Sequence, residues 1–126
     1  MDVAYVDTSC LVAILFNEPG GKAAAARLAR FDEVFSSNLL EAELMAVCAR
    51  EQVAFPEDLR AVVGWVLPDR PLTDEIQAVL EAGWVRGAYL WHLASALFLA
   101  GDAAAITFLT LDERQKSVAA AVGFRT

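Results

Sequence analysis

A short β-branched and aromatic run stands near the start of the sequence: Asp2-Val3-Ala4-Tyr5-Val6-Asp7-Thr8-Ser9. Its first five residues are typical of a β-strand. Any of its last three residues can cap a helix, which the apolar residues Leu11–Leu15 would continue. The stretch therefore predicts a strand that passes directly into a helix.

The same alternation of strands and helices continues along the chain. Further strands are predicted at 33–35, 66–67 and 105–110, with a last one at 122–125. Further helices are predicted at 22–30, 39–51, 88–100 and 112–121, and two more begin at Pro56 and Thr73. Strands that alternate with helices favour a parallel sheet covered on both faces. We therefore expect one α/β domain over residues 1–126, with any ligand outside the carboxyl ends of the strands.

The composition narrows the class of protein. The chain has 126 residues and a formal net charge of −7. Its residues are 57% hydrophobic and 21% charged, a balance that excludes a disordered chain. No apolar run is long enough to span a membrane, and no signal peptide is recognisable. Cys10 and Cys48 lie in apolar helical patterns and are interpreted as buried, reduced side chains, so a cytoplasmic location is expected. An acidic domain binds nucleic acid only if something cationic mediates, such as a metal ion or a basic partner.

Two aspartates come directly after predicted strands. Asp7 follows the first strand, and Asp112 follows the strand that ends at Thr110. Both are therefore expected at the carboxyl edge of the sheet, where a ligand would bind. The alternative for each is a helix N-cap, which is a common use of aspartate at a strand-to-helix turn.

Glu43 is a third candidate because of its position on a predicted helix. On a helical wheel with Leu40 at zero, Leu44 falls at about +40°, Val47 at about −20° and Glu43 at about −60°. Glu43 therefore lies inside the apolar stripe, whereas Glu41 lies at its margin. A carboxylate there is costly unless it is paired or bound to a metal. The alternatives are a salt bridge to an arginine or a side chain that reaches solvent.

Three carboxylates from distant segments would repel one another at a single point unless a cation joined them. Mg²⁺ or Mn²⁺ prefers such oxygen ligands. A metal of this kind polarises a phosphoryl oxygen and activates a bound water, which is what phosphodiester hydrolysis requires. The neighbouring hydroxyls of Thr8, Ser9 and Thr110 would orient ligands or a water, or would cap helices.

With these residues in place, the chain resembles a PIN-domain ribonuclease of the VapC toxin type. The resemblance rests on the order and spacing of five segments: Tyr5–Ser9, Ser36–Leu44, Arg86–Ala94, Leu109–Arg114 and Ala119–Phe124. It implies a three-layer α/β/α sandwich with a doubly wound, mainly parallel sheet. It also implies an acidic Mg²⁺ or Mn²⁺ site, cleavage of RNA, a homodimer, and neutralisation by a cognate antitoxin.

The resemblance places three of the family's acidic positions at Asp7, Glu43 and Asp112. The fourth is different, because Tyr89 stands where members usually have aspartate, three residues before His92. A tyrosine hydroxyl carries no charge at neutral pH and is a poor ligand for a hard dication. The prediction is therefore a metal-dependent endoribonuclease with catalytic and metal-binding Asp7, Glu43 and Asp112, weakened or inactive in this chain.

Two other functions stay open at this stage. One is a catalytically silent PIN module that binds RNA or a protein partner, and the other is a structural subunit whose acidic residues only cap helices. Nearby residues also have two interpretations. Arg86 and Arg114 would steer a phosphate or form salt bridges. The tryptophans would stack on bases, or would pack in the core or at a dimer interface; they are Trp65, Trp84 and Trp91. His92 is interpreted as a buried, hydrogen-bonded structural histidine.

Overall fold

A four-stranded parallel sheet forms the centre of the protein. The computed structural model describes residues 1–126. The strands are β1 (Val3–Val6), β2 (Glu33–Ser37), β3 (Val63–Val66) and β4 (Thr107–Leu109). Their order is β3-β2-β1-β4, and all neighbours run parallel. Because β1 lies between β2 and β4, the chain winds in both directions from the first strand, which is the arrangement of a doubly wound sheet.

Seven helices connect and cover these strands: α1 (Thr8–Leu15), α2 (Gly21–Leu28), α3 (Asn38–Arg50), α4 (Glu57–Val62), α5 (Thr73–Ala82), α6 (Gly87–Ala100) and α7 (Glu113–Val122). Two of them begin at aspartates that follow strands. Asp7 is the N-cap of α1 and Asp112 is the N-cap of α7. Both strand-to-helix turns therefore lie at the carboxyl edge of the sheet, as the sequence predicts.

The sheet separates two hydrophobic cores, which completes a three-layer α/β/α fold. Tyr5 points to one side, where it packs with Leu93 of α6 and Phe108 of β4. Ala4 and Val6 point to the other side, where the core includes residues of α1 and α3. Successive side chains of a strand alternate between its faces, so β1 contributes to both cores. The predicted fold class is confirmed.

Three predicted strands differ from the structure. The third strand is not 66–67 but Val63–Val66, in which Gly64 lies against the ring of Phe35. Because glycine is depleted in strands, the sequence pattern did not indicate a strand that contains Gly64. A Cβ on Gly64 would lie 2.5 Å from Phe35 Cδ1, so close packing requires the glycine. The predicted strand 105–110 is shorter, because a 3₁₀ helix occupies Ala103–Ala105.

The predicted last strand, 122–125, is only an isolated bridge between Thr107 and Arg125. Gly123 ends α7 with a left-handed φ of 119°, so only the residues after it reach the sheet. Arg125 accepts a hydrogen bond from Phe108 N–H at 2.7 Å and donates one to the Ile106 carbonyl at 3.1 Å. These two backbone hydrogen bonds attach the C-terminal segment to residues 106–108 without forming a strand.

Two further predictions concern the cysteines and membrane-spanning segments. Cys10 and Cys48 are buried and free, as expected. Burial raises the pKa of the Cys10 thiol to about 12, so the side chain stays protonated and behaves as a small hydrophobic group. None of the seven helices combines the length and the apolar character needed to cross a lipid bilayer.

Candidate functional site at the carboxyl edge of the sheet

Asp7 lies where β1 ends, in the middle of the sheet edge. Its backbone N–H donates to the Leu109 carbonyl at 3.1 Å, which continues the pairing of β1 with β4 by one residue. Its side chain is only 1% exposed. Ser9 Oγ donates to Asp7 Oδ1 at 2.7 Å, and Thr110 Oγ1 donates to Oδ2 at 2.6 Å. The Cys10 N–H completes the cap at 3.4 Å.

The environment of Asp7 disfavours its charged form. Burial raises the pKa of the Asp7 carboxyl, and the hydrogen bonds from Thr110 and Ser9 oppose that rise. All of these donors are neutral groups, and Asp7 forms no salt bridge. A buried carboxylate without a cationic partner is costly, and strongly perturbed groups of this kind are enriched at functional sites.

Glu43 reaches the same edge from the first half of α3. It is half-buried, and Oε1 accepts hydrogen bonds from Thr8 Oγ1 at 2.8 Å and from His92 Nε2 at 3.0 Å. The hydrogen bond from His92 lowers the pKa of the Glu43 carboxyl despite partial burial, and the bond from Thr8 adds to the effect. Both donors use Oε1, so Oε2 remains available to a ligand. No arginine pairs with Glu43, which excludes the salt-bridge alternative.

His92 links Glu43 to the interior of the domain. The backbone N–H of Ser37 donates to Tyr5 Oη at 3.1 Å, and Tyr5 Oη lies 2.8 Å from His92 Nδ1. Burial raises the pKa of the Tyr5 hydroxyl, so the hydroxyl keeps its proton. Because an ionised carboxylate only accepts hydrogen bonds, His92 Nε2 is the donor to Glu43. This series of buried hydrogen bonds holds the Glu43 carboxylate in position from the interior of the domain.

Asp112 stands apart from this network. Its Oδ1 accepts a hydrogen bond from Gln115 N–H at 2.7 Å, which is the expected N-cap of α7. The Asp112 N–H donates to Thr110 Oγ1 at 3.0 Å, so the Thr110 hydroxyl bridges Asp7 and Asp112. Asp112 and Asp7 therefore both act as helix caps, and a functional role of Asp112 stays a prediction.

Tyr89 occupies one wall of an open cleft beside these residues. The cleft has a volume of about 480 Å³, and its lining includes Thr8, Ser9, Glu43 and Tyr89. The Tyr89 hydroxyl accepts a hydrogen bond from Arg86 at 3.2 Å. The tyrosine that replaces the expected acid therefore shares a cleft with Glu43.

Carboxylate oxygens are the ligands that a hard dication prefers, but the arrangement of these side chains suits such an ion less well. No group of three or more His, Cys, Asp and Glu side chains is arranged to hold a metal ion. Asp7 directs its oxygens to two hydroxyls, Asp112 caps a helix, and Tyr89 supplies no charge. The metal-binding role of Asp7, Glu43 and Asp112 therefore stays a prediction.

The order of the elements and the acidic edge agree with one protein family. The sequence model of the PIN domain matches residues 4–121. The chain belongs to the PIN domain family. PIN domains are generally nucleases. No curated protein and no solved structure matches the chain.

Sequence reasoning missed the role of His92 in this PIN domain. The histidine is buried and hydrogen-bonded, as predicted, but it binds Glu43 directly. The available signal was its spacing, because His92 lies three residues after Tyr89 on α6, and side chains at that spacing share a helix face. The contribution of Tyr5 had no such signal, since it depends on the packing of β1 against α6.

Proposed function

We propose that this PIN domain is an endoribonuclease of the VapC toxin type whose Mg²⁺- or Mn²⁺-dependent cleavage of RNA is weak in the present sequence. The observation that carries the proposal is the position of Tyr89 in the wall of the cleft that Glu43 lines. An acid at this position would place a further carboxylate in that cleft, in addition to those of Glu43 and Glu18. The tyrosine adds no charge there.

The surroundings of the cleft support this proposal. Glu43 has a lowered pKa and is ionised at neutral pH, with Oε2 available. Asp7 is buried with neutral donors alone, and a nearby cation would stabilise its charged form. Two carboxylates at one sheet edge are a partial site for a hard cation. A third carboxylate at position 89 would add a charged oxygen ligand.

The test compares the protein with Tyr89→Asp and Tyr89→Asn. The two substitutions remove the same ring and differ in charge, so Tyr89→Asn controls for the space that the ring leaves. We expect Tyr89→Asp to raise Mn²⁺ affinity, measured by titration calorimetry, and the rate of single-stranded RNA cleavage by at least about tenfold, which corresponds to about 1.4 kcal/mol. Tyr89→Asn should leave the Mn²⁺ affinity unchanged and should not raise the cleavage rate.

Equal Mn²⁺ affinities and equal cleavage rates in all three proteins would overturn the proposal. RNA binding without any cleavage, even in Tyr89→Asp, would favour the catalytically silent PIN module instead. Substitution of Asp7 by asparagine in the Tyr89→Asp background should abolish the gain, because it removes the carboxylate at the centre of the edge.

We further propose that the protein forms a homodimer and is neutralised by a cognate antitoxin, in keeping with the VapC resemblance. An exposed and almost entirely apolar groove between α1, α2 and α4 supports a protein partner, and Leu11, Ile14, Leu28, Phe31 and Val62 contribute to its lining. Expression of Tyr89→Asp should arrest growth of the host cell more strongly than expression of the unchanged chain. Equal growth would contradict the toxin role.

A further inference from the structure

Arg86 lies next to Tyr89 of the cleft, Arg114 lies next to Trp84, and neither arginine forms a salt bridge. Acidic residues outnumber lysine and arginine by 17 to 10, and three other exposed arginines form salt bridges with glutamates: Arg50, Arg60 and Arg70. Arg86 instead donates to the Tyr89 hydroxyl at 3.2 Å, and Arg114 donates to the Trp84 carbonyl at 3.0 Å. The salt-bridge interpretation of these two arginines is therefore wrong, and both guanidinium groups keep donors for an anion.

Each of the two guanidinium groups also lies over an aromatic ring. Arg86 Cζ is 4.9 Å from the centroid of the Tyr89 ring, and Arg114 Cζ is 5.9 Å from the Trp84 ring. Trp84 is 64% exposed, so most of this large ring contacts water. Exposed tryptophans beside free arginines are typical of interfaces with a partner rather than of a solvated surface.

Two hydrogen bonds hold these four residues in one strip. Trp84 and Arg86 lie in the connection between α5 and α6, Tyr89 lies in the first turn of α6, and Arg114 lies in the first turn of α7. The Arg114 bond to the Trp84 carbonyl joins α7 to that connection. Gln115 Nε2 donates to the Tyr89 carbonyl at 3.2 Å and joins α7 to α6. The strip therefore leads from the exposed Trp84 to the cleft that Tyr89 lines.

We propose that this strip, formed by Trp84, Arg86, Tyr89 and Arg114, binds single-stranded RNA and leads it into the cleft. A base would stack on the exposed face of Trp84, and phosphates would contact the two guanidinium groups. Stacking on a side chain requires an unstacked base, which favours a single strand over a duplex. The inference rests on the proposed function in taking RNA as the ligand.

Because the chain has a net charge of −7, its RNA-binding surface has to be confined to a small region. The surface as a whole repels a polyanion, so binding depends on local sites that combine cations with other contacts. Arg86 and Arg114 form no salt bridge and lie next to an aromatic platform. For a single strand, each phosphate contact contributes about 0.7 to the slope of log affinity against log salt concentration.

The first experiment measures the binding of a fluorescently labelled 12-nucleotide single-stranded RNA by anisotropy, with EDTA present, over a range of salt concentrations. We expect Arg86→Gln and Arg114→Gln each to weaken binding about tenfold at low salt and to reduce the salt slope by about 0.7. Arg50→Gln is the matched control, because it removes the same charge from an arginine whose side chain is 72% exposed at the end of α3. Its binding should match that of the unchanged protein.

The second experiment isolates the ring of Trp84. Trp84→Leu should weaken RNA binding about tenfold, and Trp84→Phe should recover most of the loss because a phenyl ring still stacks. Equal binding by all variants, or an equal loss in Arg50→Gln, would overturn the proposal. So would a Trp84→Leu variant that dissociates a dimer, measured by sedimentation, without altering RNA affinity, since Trp84 would then face a second copy of the chain.

These measurements use metal-free protein and do not depend on cleavage. A failure of Tyr89→Asp to gain activity would contradict the proposed nuclease function while the strip still bound RNA. Normal RNA binding by the strip variants, together with a gain of activity in Tyr89→Asp, would contradict the strip alone.

Discussion

Asp7 and Glu43 lie at the same edge of the sheet, yet their surroundings shift their pKa values in opposite directions. Asp7 is buried among neutral donors, and burial raises its pKa. Glu43 is half-buried, and the hydrogen bond from His92 lowers its pKa. The comparison shows that two carboxylates in one site need not carry their charge equally easily. Hydroxyl donors only partly replace the water that Asp7 loses, whereas Glu43 keeps some water and gains an imidazole donor.

The largest expected effect is the loss of the Asp7 side chain. Asp7→Ala would leave the Ser9 hydroxyl without its carboxylate acceptor, would leave Thr110 only the Gln115 side chain as acceptor, and would remove the cap of α1, which lowers the free energy of unfolding by about 2 kcal/mol. Glu43→Ala should cost about 1 kcal/mol, because Thr8 Oγ1 lies 3.3 Å from His92 Nε2 and can accept its proton. Urea denaturation checks both values. A larger loss of stability in Glu43→Ala than in Asp7→Ala would contradict this prediction.

The pH dependence of stability should be smaller, and it should have opposite signs at the two residues. The Asp7 pKa is raised above the ordinary value of 3.8, so the folded state binds more protons and ionisation of Asp7 reduces stability as the pH rises above that value. The Glu43 pKa is lowered below 4.5. Its contribution is therefore present above 4.5 and is lost as the pH falls through the folded-state pKa.

Urea denaturation of Asp7→Asn and Glu43→Gln between pH 3 and pH 7, with EDTA present, tests these signs. Relative to the unchanged protein, Asp7→Asn should become more stable as the pH rises, and Glu43→Gln should become less stable. If the stability of both variants, relative to the unchanged protein, shifted in the same direction as the pH rises, the opposite pKa shifts of the two carboxylates would be contradicted.

The smallest expected effect concerns Glu41, which lies two residues before Glu43 on α3. Glu41 pairs with Arg60 at 3.2 Å on the exposed surface, and exposed pairs of this kind contribute little. Glu41→Gln should change the free energy of unfolding by less than about 0.5 kcal/mol and should leave RNA cleavage by Tyr89→Asp unchanged. A loss of cleavage in Glu41→Gln would move the functional carboxylate away from Glu43.

Local patterns were sufficient to predict most of the fold. The β-branched run at Val3–Val6, the capping residues after it and the helical pattern of α3 each act over a few residues, so they can be recognised without tertiary contacts. Gly64 could not be assigned to a strand in this way. Its place in β3 depends on the ring of Phe35 in the neighbouring strand, which no local pattern contains.

The site was only partly predictable for the same reason. The wheel placed Glu43 on the inner side of α3, and the structure brings it to His92 and Thr8. Asp112 was expected at the same edge, and the structure shows in addition that its side chain caps the first turn of α7. A cap and a metal ligand look alike in sequence, because both require an aspartate just after a strand.

The sequence by itself determined that this chain is an α/β domain with acids at the carboxyl edge of a parallel sheet, since strand and helix periodicity and turn chemistry are local properties. Only the tertiary structure decided which of those acids are buried, which donors hold them, and that Arg86 and Arg114 lack carboxylate partners. Those facts depend on distances between segments far apart in the chain. Hydrogen bonds and desolvation act only over such short distances, so the folded arrangement sets them.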